Sequence, residues 1–225
     1  MKPSIELLAR QPLFASLTSV DQAQLIRQAL SRDYEKGAVI TSLGEQWRYL
    51  FLVESGMIHA VKESSEGRNL IVASMGAGEI FWGMAFFYDD APNIVTLQAR
   101  EATRLVLWSR DDLLPILLAN GRASWELCRL MIRRMEHASE ILQELAFQPV
   151  AGRLARVLLD DLGATESNRL ARDLTLDELA ARAGTTREVV CRTLYRLSDQ
   201  GLIRITRTEF QLMDKKRLAQ LAERV

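Results

Sequence analysis

Long hydrophobic runs are missing from this 225-residue chain: no stretch of about 18 apolar residues occurs, and the first residues carry no signal-like pattern. The expectation is a soluble cytoplasmic protein. Cysteine is scarce, with only Cys128 and Cys191, which argues against a disulfide framework. Histidine is as scarce, at His59 and His137. The sequence shows no nucleophile-base pair, no metal-ligand spacing and no phosphate loop with supporting context, so an enzyme and a metal site are not expected. Formal net charge is zero, and 48% hydrophobic with 26% charged residues is ordinary globular usage, enough for one or two domains with ample core.

The charge is unevenly spread. Residues 151–225 hold 14 Lys/Arg against 11 Asp/Glu, whereas residues 1–150 hold 15 against 18. The C-terminal part is thus the one biased toward phosphate. Within it, Leu174 to Gly201 reads L-T-L-D-E-L-A-A-R-A-G-T-T-R-E-V-V-C-R-T-L-Y-R-L-S-D-Q-G, two short amphipathic helices around a glycine turn. Thr175 is placed to cap the first, with Glu178 three residues on as its capping-box partner. Leu176, Leu179, Ala180 and Ala183 share a face, and Gly184 is the residue able to turn left-handed and stop the helix.

The second helix starts near Thr185 or Thr186. Val189, Val190, Leu194 and Leu197 form its buried stripe, leaving Arg187, Glu188, Cys191, Arg192 and Arg196 to point elsewhere. An arginine fork matches guanine O6 and N7, and a carboxylate accepts from cytosine N4, so Arg187, Glu188 and Arg192 suit G·C pairs in a major groove. Cys191, Thr186, Thr175 and Arg196 complete the candidate DNA-facing set. Thr185-Thr186-Arg187-Glu188 also fits a capping box, in which Glu188 would serve only its own helix. Leu202–Thr206 and Phe210–Met213 alternate around Arg207-Thr208-Glu209, a short hairpin that makes the unit a winged helix.

Upstream, residues 4–30 look helical, with Thr18 a cap for a helix from Ser19. Short strand-forming runs follow at Ala38–Thr41, Tyr49–Val53, Met57–Lys62, Asn69–Met75, Asn93–Ala99 and Thr103–Leu107, punctuated by glycine turns, which suggests an antiparallel sandwich or jelly roll. From about Arg122 to Phe147 a long helix is expected. Cys128, Met131, Met135, Ala138, Leu142 and Leu145 recur at steps of three and four, the seam of a two-stranded coiled coil, while Leu127, Leu130 and Ile141 serve the helix's own domain. Pro149 marks a break and a hinge.

These residues resemble the superfamily of the cyclic-AMP receptor protein and the fumarate-nitrate regulator, bacterial transcription factors. T-T-R-E-V-V-C-R-T-L is similar to the family's recognition helix, with Arg187, Glu188 and Arg192 at its base-reading positions. Ala138 to Ala155 is similar to the end of its dimer helix, its hinge and the first helix of its DNA domain. The resemblance implies an α+β chain in three parts: a jelly-roll sensor of cyclic-nucleotide-binding type over residues 1–118, a dimerisation helix and hinge over 119–148, and a winged helix-turn-helix over 149–225. It also implies a homodimer on two-fold symmetric double-stranded DNA, and RNA polymerase as a partner if the protein activates.

The family's cyclic-nucleotide pocket uses a glycine-glutamate pair and then an arginine-serine pair for the cyclic phosphate. At the matching positions stand Gly83-Met84 and Asn93-Ile94, and Ala138 replaces a hydroxyl on the long helix. A buried phosphate without a cation is costly, so cyclic nucleotide is not the expected effector. Trp82, Gly83, Met84, Asn93, Ile94 and Ala138 then outline a more apolar effector pocket, although the aromatic residues there also suit a sandwich core. Haem is an alternative, with His59, His137, Cys128, Cys191 or a methionine as axial ligand. The family's oxygen sensors hold an iron-sulfur cluster by cysteines near the N-terminus, and no cysteine precedes Cys128 here. The competing readings are a haem-based gas sensor on the same scaffold and a cyclic-nucleotide-binding module whose C-terminal helices contact protein.

Overall fold

The computed structural model describes residues 5–162, 168–171 and 174–223. The chain divides into two units, residues 1–62 with 72–137 and residues 63–71 with 138–225. The first opens on three helices, α1 (Ile5–Ala9), α2 (Pro12–Ala15) and α3 (Ser19–Gln28). Thr18 caps α3 by accepting from Asp21 N at 3.2 Å. Eight strands follow: β1 (Leu30–Tyr34), β2 (Val39–Thr41), β3 (Tyr49–Ser55), β4 (Met57–Glu63), β5 (Asn69–Gly76), β6 (Ile80–Trp82), β7 (Thr96–Ala99) and β8 (Thr103–Ser109). They form two four-stranded sheets, ordered β1-β8-β3-β6 and β2-β7-β4-β5. This is the jelly-roll sandwich that the strand spacing and glycine turns suggest.

Side-chain alternation sorts β3 and β8 between two cores. Phe51, Val53, Leu105 and Leu107 face the second sheet and meet Ile58, Ala60, Met75 and Leu97 inside the sandwich. Leu50, Leu52, Val106 and Trp108, one residue out of step, pack on the helical layer with Phe14, Leu25, Leu113 and Leu127. Both strands are therefore buried on both faces, and each fully buried large side chain stabilises the fold by about 1.5–3 kcal/mol. The Trp108 indole stays satisfied by donating to Leu25 O at 2.9 Å. A fourth helix, α4 (Arg110–Ala119), starts at Ser109, whose hydroxyl accepts from Asp112 N at 3.1 Å.

The long helix α5 runs Gly121–Phe147. After Pro149 comes α6 (Val150–Leu162), then β9 (Arg169–Ala171), α7 (Leu176–Ala183), α8 (Arg187–Asp199), β10 (Ile203–Ile205), β11 (Glu209–Leu212) and α9 (Lys215–Glu223). Leu154, Leu158, Leu179, Val190, Leu194, Leu197, Phe210 and Leu218 form one core beneath the C-terminal helices. The hairpin after α8 is the expected wing, and β9 extends it to a three-stranded sheet ordered β10-β11-β9. Among the described residues no helix is long and apolar enough to cross a membrane.

Candidate functional site

The C-terminal site is built from caps and a left-handed glycine. Thr175 Oγ1 accepts from Glu178 N at 3.1 Å and starts α7. Gly184 ends it at φ 58° and ψ 48°. Any Cβ there would be strained, and it would collide with Cδ2 of Leu145. Thr186, not Thr185, then caps α8 by accepting from Val189 N at 3.4 Å. That settles the capping-box alternative: Glu188 is the second helical residue, one short of the position from which a box carboxylate reaches back. Val190, Thr193, Leu194 and Leu197 are buried and Val189 is half-buried, so Thr193 joins the inner face that the sequence pattern assigns to Val189.

Opposite that face, Arg187, Glu188, Arg192 and Arg196 are exposed and Cys191 is half-buried. Tyr195, missed in the sequence reading, is exposed among them, four residues after Cys191. Among the described residues, Arg187 Nη1 pairs at this surface with Asp177 at 3.3 Å, with side chains 65% and 69% exposed, a contact weak enough to be exchanged for a ligand. Thr175 and Thr186 spend their hydroxyls on caps at the two helix starts. The surface therefore offers fixed donors and one carboxylate on a rigid helix, chemistry suited to base edges rather than to covalent catalysis.

One half-buried cation holds this arrangement together. Arg153 of α6 donates through Nε to Ala183 O, through Nη1 to Gln148 O at 2.6 Å, and through Nη2 to Gly184 O at 3.3 Å. Burial draws its pKa below the usual arginine value. It joins the end of α5 to the turn before α8, a role that sequence periodicity does not reveal.

Of the six residues expected to outline an effector pocket, Trp82, Gly83, Met84, Asn93 and Ile94 belong to the first unit and Ala138 to the second. Asn93 is buried, its Nδ2 donating to Thr41 Oγ1 at 2.9 Å and its Oδ1 accepting from Met84 N at 3.2 Å. Gly83 leaves no room for a Cβ, because the Trp47 backbone and side chain fill that space. Trp82 stacks on Phe81 and meets Phe87 edge-on, as core. Ile94 is 54% exposed and Ala138 is exposed on α5. At this point of the chain Asn93 points inward and Ile94 outward. Of the haem-ligand candidates, His59 is buried with Nδ1 2.9 Å from Ser74 Oγ, and His137 is exposed on α5. Cys128 is exposed and Cys191 intermediate. Among the described residues no group of three His, Cys, Asp or Glu is placed to hold a metal ion.

Along α5 the exposed apolar residues include Trp125, Cys128, Ile132, Met135, Ala138 and Leu142, again at steps of three and four, with Phe147 exposed at its end. Met131 and Leu145 are half-buried. The exposed stripe thus includes Trp125 and Ile132, whereas Met131 and Leu145 of the expected seam are less exposed, Leu145 lying against Gly184.

A jelly-roll sandwich followed by a winged helix-turn-helix is the architecture of CRP-like transcription regulators. Residues 31–120 match the profile of the cyclic nucleotide-binding domain, and residues 152–221 match that of the Crp-like helix-turn-helix domain. A CRP-like cAMP-activated global transcriptional regulator of Mycobacterium tuberculosis is 28% identical over 222 residues, 96% of this chain and 99% of that one. The cyclic AMP receptor protein of Thermus thermophilus is 29% identical over 86% of this chain and 88% of its own. In fold, a CRP/FNR-family transcriptional regulator from Thermus thermophilus superposes with a TM-score of 0.73 at 24% identity, over 86% of this chain and 98% of that one. The chain belongs to the CRP/FNR superfamily of transcription regulators, and neither the matched families nor these relatives are enzymes.

Proposed function

We propose that this regulator acts as a homodimer on a two-fold symmetric DNA site, with α8 in the major groove and an effector other than a cyclic nucleotide. The observation that carries the reading is the exposed row of Arg187, Glu188 and Arg192 on a helix whose opposite face is locked in core. The exposed heptad stripe of α5 supports a parallel pairing with a second copy, which would set two recognition helices one DNA turn apart. In this reading residues 1–118 sense, residues 119–148 pair the subunits and residues 149–225 bind DNA.

The effector half of the proposal rests on Asn93. It stands where the family places the phosphate-binding arginine, and its amide is consumed by Thr41 and Met84. No cation replaces it there in sequence, so a cyclic phosphate would be desolvated without a counter-charge. Selection of bound duplexes from a random DNA pool, followed by sedimentation of the free protein, tests the DNA and dimer parts. A palindromic consensus and a dimeric species are expected. Calorimetric titration with cyclic AMP and cyclic GMP tests the effector part, and micromolar stoichiometric binding would overturn it.

A further inference from the structure

A cleft of about 500 Å³ opens in the first unit between α2, the β5–β6 turn and α5, and it shares no residue with the nucleotide-type pocket discussed above. That volume lies in the range of small-molecule sites. Its apolar wall is aliphatic, from Leu13, Ile80 and Leu130, with no aromatic ring to stack a base. Its cationic side chains are Arg133 and Arg134 of α5, with His137 one turn further along the helix. The acids nearby are occupied: Glu79 accepts from Arg134 Nη2 at 3.1 Å and from Gly76 N at 2.8 Å, and Glu126 accepts from Arg129 at 3.1 Å. Arg133 has no ion pair among the described residues, and Arg134 Nε is buried there without a hydrogen-bond partner. Among the described residues Arg133 is the one lining charge left without an opposite charge, and it stands beside an aliphatic surface.

We propose that this cleft binds a medium-chain aliphatic carboxylate, its head group on Arg133 and Arg134 and its chain against Leu13, Ile80 and Leu130. Arginine is the side chain best shaped for a carboxylate, and a short apolar wall rewards methylene groups. The helix geometry keeps the site open in an assembled regulator. At about 100° per residue, Glu126, Leu130, Arg133 and His137 fall on the side of α5 opposite Trp125, Cys128, Ile132 and Met135. A second copy seated on the exposed stripe leaves the cleft uncovered. A bound carboxylate would brace α5 against α2 and the β5–β6 turn. Its role as effector rests on the proposed DNA-binding function, whereas binding itself does not.

Calorimetric titration of the full-length protein with sodium decanoate, below its micelle concentration, decides the matter. Expected are one site per chain with micromolar affinity, at least tenfold weaker binding of 1-decanol, and at least tenfold weaker decanoate binding by Arg133→Gln. Arg122→Gln, a change at an exposed arginine of α5 outside the lining, should leave the affinity within twofold. No saturation by 1 mM, equal affinity for decanol, or an unaltered Arg133→Gln would overturn the site. In parallel, decanoate should change the affinity of wild type for its selected DNA at least threefold, and leave that of Arg133→Gln unchanged. Stoichiometric binding with unaltered DNA affinity overturns the effector role and leaves the site standing. A protein that selects no DNA sequence defeats the proposed function, and the calorimetry still judges the cleft.

Discussion

Arg153 Nε donates to the carbonyl of Ala183 at 2.7 Å, so a single guanidinium spans from α6 to the last residue of α7. Its other nitrogens hold Gln148 O and Gly184 O. Placement of α8 therefore depends on a side chain that faces no DNA.

Arg153→Lys keeps the charge but not the fork. Losing part of a charged hydrogen-bond set should lower unfolding free energy by about 2–3 kcal/mol in urea titration. Specific DNA affinity should fall with it. A change below about 0.5 kcal/mol would reduce Arg153 to an incidental contact.

On DNA, alanine at Arg187, Glu188 or Arg192 should each cost about 1–3 kcal/mol on the selected site and much less on random duplex. Gel-shift titrations of both duplexes measure the difference. Equal losses on the two would make these residues phosphate contacts.

Ile132→Arg and Met135→Arg place charges on the exposed stripe of α5 proposed to pair two subunits. Sedimentation at micromolar concentration should show monomer, and footprints should shrink to a half-site. A monomeric wild type that still protects a full palindrome would defeat the seam.

Asp160 gives a pH dependence. Burial pushes its carboxyl above the ordinary 3.8, outweighing the opposing pull of Arg182 and Arg156. The folded state thus holds this proton to higher pH than the unfolded one does. Stability declines as pH rises from the unfolded value through the raised folded value, and the cost is complete above it. Asp160→Asn, neutral throughout, should be more stable than wild type at pH 7 and closer to it at pH 4. An unchanged gap across that range contradicts the assignment.

Strongly periodic segments were legible in the sequence. The caps Thr18 and Thr175, Gly184, the long helix ending at Phe147 and the wing all lie where their patterns put them. β1 was not legible, because its Leu-Ser-Arg-Asp-Tyr is an edge strand with no buried residue and no apolar alternation. β6, of three residues, and α4, with Pro115 inside it, lack the length or residue types that announce them. Of the site, the outward face of α8 follows from spacing alone. Arg153 did not, since its four partners are backbone carbonyls, and a carbonyl leaves no mark on residue identity.

Asn93 ties Met84, at the start of a short 3-10 turn over Met84–Phe86, to Thr41 on β2 without any bound molecule. Where a sensor's phosphate cradle takes shape only around its ligand, the entropy of ordering that segment is subtracted from ligand affinity. Here the polypeptide supplies the crosslink itself, and the same entropy is met once, during folding. This corner of the sandwich is consequently held by the polypeptide's own hydrogen bonds.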